Sequence, residues 1–156
     1  MQDGEISIDD PASADVVALL ERHLAFARTH SPPEDVHALD VEALRDPAIS
    51  FFSCRSGGTL LGVGALKLLG DGHAELKSMH TAAEARGQGI GRAMVEHLLG
   101  VARTKGVTRV SLETGTMPAF APARSLYADF GFEPCPPFAD YFESPNSMCM
   151  TLVLSP

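Results

Sequence analysis

Arg86-Gly87-Gln88-Gly89-Ile90-Gly91-Arg92 is the stretch on which the reading of this chain turns. Glycines at alternate positions let a backbone approach a ligand with its N–H groups exposed. Ile90, Met94, Leu98 and Val101 then recur at helical spacing, and Ala93, Val95, Leu99 and Ala102 widen the stripe. That pattern predicts a helix from about Gly89 to Lys105, closed by Gly106 and packed on a sheet. The first turn of such a helix leaves N–H groups unsatisfied. Together with the helix dipole and two arginines they make an anion site. The competing reading is a glycine-rich turn that merely joins strand to helix. Two other glycine loops are excluded. A P-loop needs Gly-x-x-x-x-Gly-Lys-[Ser/Thr], which is absent. In a dinucleotide fingerprint the last glycine would fall on Arg92 or Met94.

Outward from the loop, the chain alternates strands and turns. Glu5–Ile8 reads as a short strand, and Asp10-Pro11 or Ser13 starts a helix to about Arg28 with Val17, Leu20, Leu24 and Ala27 on its stripe. His30–Asp35 reads as a loop, since its two prolines suit no helix interior. One more helical turn is expected over Val41–Leu44. Ile49–Cys54, Thr59–Leu69 and His73–His80 are strands separated by glycine turns, which predicts an antiparallel meander. Beyond the long helix, Thr108–Glu113 reads as a strand, completing a strand–helix–strand crossover. Ala121–Phe130 is a short helix, and Phe132 onward and Met148–Leu154 are closing strands. Met148, Met150 and Phe142 are expected to pack those strands. The whole reads as one α/β domain, residues 1–156, with a mixed, mostly antiparallel sheet of six to seven strands and about four helices.

At 156 residues the chain can bury a core without a disulfide or metal staple. Its formal net charge of −8 argues against a broad nucleic-acid or anionic-membrane surface. The charge is uneven. Residues 1–85 carry net −8, residues 86–109 net +4 and residues 110–156 net −4. The one basic segment begins with the glycine loop, where a compact polyphosphate would bind. Cys54, Cys135 and Cys149 form no CxxC and no zinc-ligand spacing. Reduced thiols, an acidic N-terminus unlike a signal peptide and no long apolar run point to the cytoplasm.

Three segments in order resemble the GNAT superfamily of N-acetyltransferases. Arg86–Gly91 matches its Arg/Gln-x-x-Gly-x-Gly/Ala signature, His73–Thr81 looks like its fourth strand, and Leu126–Phe132 looks like its Leu-Tyr-x-x-x-Gly-Phe element. The resemblance implies acetyl-coenzyme A as co-substrate. It implies that backbone N–H groups of Gly87, Gln88, Gly89, Ile90, Gly91 and Arg92 hold the pyrophosphate, with the Arg86 side chain either contributing or bracing the loop. It further implies that the fourth strand splays from the fifth, and that Met79 and Thr81, with His80 between them, pair with the pantetheine arm. A small-molecule or peptide amine would be the acceptor, and the family's habits allow for a homodimer. One departure stands out. Phe120 occupies the position where family members often carry Asn, so the pocket there would be apolar.

Acetyl transfer to an amine needs a base for the nitrogen, a donor for the developing oxyanion and an acid for the leaving thiolate. Tyr127, at the family's tyrosine position, is the candidate acid; a packed core tyrosine is the alternative. Glu75 is the first candidate base, directly or through water, against the alternative of a solvated or salt-bridged carboxylate. His73, His80 and Glu113 rank below it. Strict alternation puts Glu75, Lys77 and Met79 on one face and Leu76, Ser78 and His80 on the other; a bulge would reverse this. No cysteine has a histidine partner in a motif, so direct attack is favoured over an acyl-enzyme. The tail from Pro136 to Ser147 is aromatic and suited to shaping an acceptor site. Two rival readings are a non-catalytic acyl-coenzyme A sensor and an acyltransferase with another acyl donor or acceptor.

Overall fold

A computed structural model describes residues 4–30 and 41–154. Seven strands form one sheet in the order β1-β2-β3-β4-β5-β7-β6. They are β1 Glu5–Ile8, β2 Ile49–Ser56, β3 Thr59–Gly70, β4 His73–Thr81, β5 Arg109–Gly115, β6 Glu133–Cys135 and β7 Ser147–Val153. Among the described residues there are three α-helices, α1 Ala14–His30, α2 Ile90–Thr104 and α3 Ala121–Asp129, and three short 3-10 turns. The expected loop at 31–35 lies outside the described residues.

Glycines make the meander. Gly57, Gly58, Gly70 and Gly72 all take positive φ in the two hairpin turns, a conformation that other residues adopt only with strain. The crossover through α2 returns the chain to a parallel pairing, with His73, Ala74 and Glu75 opposite Arg109, Val110 and Ser111. Every other ladder is antiparallel. The β4–β5 ladder stops at Glu75 and Ser111, and the two strands part beyond that pair.

The two long helices cover opposite faces. Gly62 and Gly64 on β3 admit α2 closely: a Cβ at Gly64 would lie 2.7 Å from Met94 Cγ and 3.1 Å from Leu98 Cδ1. Ile90, Met94, Val95, Leu98, Leu99 and Ala102 are buried against that face, as the periodicity predicts. Each large side chain so buried contributes about 1.5–3 kcal/mol of transfer free energy. On α1 Leu20 is buried as expected, but beside Val16 and Leu19, while Val17, Leu24 and Ala27 are only half-buried. The helix is rotated so that the line continues through His23 and Phe26. Asp9 ties this helix to the sheet: it accepts from Ser53 Oγ and from Arg55 Nε at 3.0 Å, while Arg55 also reaches Asp15 on α1.

Phe142, expected to pack the closing strands, is 53% exposed, whereas Met150 is buried. The alternation along β4 is broken as well. Val63 pairs with His80 and Ala65 with Lys77, so Ser78 and Met79 together oppose Gly64. Ser78 takes φ 55°, the mark of this bulge. Paired residues share a face, so His80, not Met79, lies with Glu75 and Lys77. Met79 joins Leu76 on the α2 side, its sulfur 2.8 Å from where a Gly64 Cβ would stand.

Candidate active site

A cleft of about 730 Å³ opens where β4 and β5 part. Its floor is formed by Glu75 to Thr81 of β4 and Leu112 to Gly115 of β5. The glycine loop and the first turn of α2 close one side, and Phe26 and Phe120 contribute to its wall.

The loop has the character expected of an anion site. Gly87 and Gly89 take φ 78° and 81°, and a Cβ at either would meet nothing within 4 Å. Among the described residues, the N–H groups of Gly87, Gln88, Gly89, Ile90, Gly91 and Arg92 donate to no protein acceptor. No side chain caps α2. This row of donors, with no protein acceptor and at the positive end of a helix dipole, suits a pyrophosphate. The side chain of Gln88 stays out of the cleft: its Nε2 donates to the Glu84 carbonyl at 3.4 Å, bracing the loop. Arg92 is paired with Asp129 at 2.9 Å and lies over the Phe130 ring. Thr81 and Gly91 approach closely, which seats the loop against the end of β4.

At the fork, Glu75 is 2% exposed. Its Oε2 accepts from Lys77 Nζ at 2.9 Å and from the Tyr141 hydroxyl at 2.5 Å, and Lys77 Nζ also donates to the Tyr141 oxygen at 3.2 Å. Both bonds use Oε2; Oε1 has no partner among the described residues. Burial, and then the negative charge of Glu75, push the Tyr141 phenol up, so it remains a donor. Lys77 and Tyr141 were not singled out from the sequence as site residues, although the aromatic tail was expected to shape the acceptor side.

Tyr127 on α3 lines the cleft and is 7% exposed, edge-on to Phe132. Its hydroxyl has no hydrogen-bond partner among the described residues. Burial, and then the charge of Glu113, raise it above the usual phenol value. Glu113 also lines the cleft and accepts from Ser147 Oγ at 2.5 Å.

The remaining sequence candidates separate. His73 Nε2 pairs with Ser111 Oγ at 2.7 Å outside the cleft, where burial and then Arg109 lower its basicity. His80 lines the cleft with its Nδ1 3.2 Å from His23 Nδ1, so at least one of these nitrogens carries a proton. Burial first, then His23, Arg86 and Arg22, push His80 down to about 3, so it is neutral at physiological pH. His23 and Phe26 were missed in the sequence; a helical stripe begun at Val16 rather than Val17 would have found them. The Arg86 guanidinium stands 5.9 Å from the Phe26 ring centroid. Phe120 meets Phe26 edge-on at 5.4 Å, and only a glycine at 115 leaves it room. The cysteines lie outside the cleft, and burial pushes all three thiols up, Cys149 to about 11.

Comparison with known proteins agrees with this geometry. Residues 15–132 match the model of the acetyltransferase (GNAT) family. An uncharacterised N-acetyltransferase of Bacillus subtilis, YsnE, is 48% identical over 94% of this chain and 97% of its own. A Klebsiella pneumoniae structure described as an acyl-CoA N-acyltransferase superimposes with a TM-score of 0.84 at 27% identity, covering 97% of this chain and 98% of its own. A GNAT acetyltransferase from Elizabethkingia anophelis, solved with acetyl-CoA bound, shares the fold with a TM-score of 0.73 at 15% identity, covering 99% of this chain and all of its own. The forked sheet, the glycine loop and these likenesses together make the chain a member of the GNAT family of acetyltransferases.

Proposed function

We propose that the protein transfers an acetyl group from acetyl-coenzyme A to the amine of a small molecule or peptide, by direct attack. The observation that carries this reading is the adjacency of a donor row and a forked sheet. The free N–H groups from Gly87 to Arg92 suit a pyrophosphate, and the unpaired edge of β4 at Met79 and Thr81 suits an amide-bearing arm laid in as an extra strand. Bound acetyl-coenzyme A would supply the activated acetyl group as a thioester.

The chain's own residues then divide the proton work. Glu75 Oε1 accepts the proton that the attacking amine must lose, directly or through one water. Lys77 and Tyr141 hold the other carboxylate oxygen, fixing the orientation of Oε1. Tyr127 gives a proton to the departing sulfur; its hydroxyl is engaged by no other group among the described residues, and its raised pKa keeps the proton on it until that step. His80, neutral and hydrogen-bonded to His23, is a poor base. The raised thiol values disfavour a cysteine nucleophile. Free Cys54, Cys135 and Cys149 suit a reducing cytoplasm.

An acceptor screen with acetyl-coenzyme A and thiol detection tests the reading. Amine-dependent thiol release is expected. Tight coenzyme A binding with no release above hydrolysis for any amine would favour an acyl-coenzyme A sensor. Faster turnover with a longer thioester would change the acyl group.

A further inference from the structure

Three cations line the cleft, and two are neutralised. Lys77 is paired with Glu75 and Arg92 with Asp129. The Arg86 guanidinium has no hydrogen-bonded or ion-paired partner among the described residues; it stands over the Phe26 ring. It does not brace the loop, a task that falls to Gln88.

The guanidinium lies toward α1, by the Phe26 ring, whereas the phosphate donors belong to the loop and the first turn of α2. Those donors open at the N-terminus of α2, which packs on the Gly62–Gly64–Met79 face. Phe26 belongs to α1, and His80 turns toward α1 because of the Ser78 bulge. Arg86 lies over Phe26, and its charge contributes to keeping His80 neutral. The same corner carries the edge-on pair Phe26 and Phe120 and the neutral His23. Arg22, the other cation near His80, is 3.8 Å from Glu84. The corner therefore presents one unpaired planar cation beside an apolar wall, on the face where Glu75 awaits an amine.

Resting on the acetyltransfer reading, we infer that Arg86 reads a carboxylate on the acceptor, so that the acceptor is an amine that also bears a carboxylate and an apolar body. A guanidinium offers a carboxylate two parallel N–H bonds in one plane, and the Phe26 ring beside it limits the orientations that plane can take. The amine would face Glu75, and the apolar part would lie against Phe26 and Phe120.

The test uses amines matched in skeleton with and without a carboxylate, phenylalanine against phenethylamine and β-alanine against ethylamine, each followed by thiol release at several pH values to correct for amine ionisation. The carboxylated member of a pair should be favoured by about tenfold or more in kcat/KM, the range of one charge-assisted hydrogen bond. Arg86→Met should level the pair by raising the KM of the carboxylated amine, and Arg86→Lys should restore part of the preference. Equal rates for the matched amines in the wild type would overturn the inference. So would an Arg86→Met defect seen in the KM for acetyl-coenzyme A instead, since the guanidinium would then serve the phosphates. Indiscriminate acetylation sinks only this subsite, whereas a panel with no acetylation at all sinks the acetyltransfer reading beneath it.

Discussion

The hydroxyl of Tyr141 donates to the carboxylate of Glu75 across 66 positions of sequence, at the point where β4 and β5 separate. One oxygen of the carboxylate is thereby committed to structure, in a residue that lines the cleft. Replacing Glu75 by Gln keeps the shape and the contact to Tyr141 but removes the base. We expect kcat to fall by about a hundredfold or more, the usual contribution of a positioned base, while coenzyme A affinity by calorimetry holds. A kcat close to wild type would take Glu75 out of the chemistry.

Tyr127→Phe should lower kcat by about tenfold to a hundredfold by removing the acid for the leaving sulfur. Burial and the Glu113 charge raise the phenol above its ordinary 10.0, so it stays protonated throughout an ordinary assay range. The kcat profile should therefore show no alkaline fall from this group below about pH 10. Thiol release across pH, for wild type and variant, decides it.

The histidine pair sets a pH dependence of stability. His80 is held down to about 3 in the fold, against 6.5 when free. Above 6.5 both states are neutral and its contribution is fully present. As pH falls from 6.5 toward 3 the unfolded chain takes up a proton that the folded site refuses, so stability drops. Arg86 and Arg22 act in the same direction as burial and His23. Urea midpoints at pH 7 and pH 4.5 should differ less in His80→Gln than in wild type. An unchanged difference would mean that His80 takes a proton freely in the fold.

Gly89 separates strain from ligand exclusion. Its φ of 81° costs an alanine about 1 kcal/mol, but a Cβ there meets nothing within 4 Å. Gly89→Ala should bind coenzyme A with a modest loss in calorimetry. Gly89→Glu, which adds bulk and negative charge at the donor row, should abolish binding. Equal affinities in the two variants would place the phosphates elsewhere.

The hairpins of the meander and the glycine loop were legible because their signals are local. Glycines in the hairpin turns and at Gly87 and Gly89 sit where positive φ is needed, and the α2 stripe is regular. The face of β4 was not legible beyond Lys77. Ser78 carries no residue-type signal for φ 55°, and alternation therefore assigned Met79 and His80 to the wrong sides. The partners of Glu75 were half legible. Lys77 is two residues away on the same face, but nothing in the sequence joins Tyr141 to a strand so distant. On α1 a one-residue error in phase hid His23 and Phe26, which the cleft uses.

The bulge at Ser78 has a consequence for the shape of the whole mouth. Between Lys77 and His80, β4 runs alongside Ala65 to Val63 with one residue more than its neighbour. That residue adds about 3.3 Å of contour to one rail of a track whose other rail is shorter. Two rails of unequal length can stay in step only by curving, with the longer one on the outside of the bend, so the pair turns toward β3 and away from β5. The departure falls just past the last rung shared with β5, at Glu75 and Ser111. The mouth is thus a matter of arc length, written as a single extra residue. A β4 lacking that residue would keep Met79 opposite Gly64 and His80 opposite Val63, and would straighten toward β5.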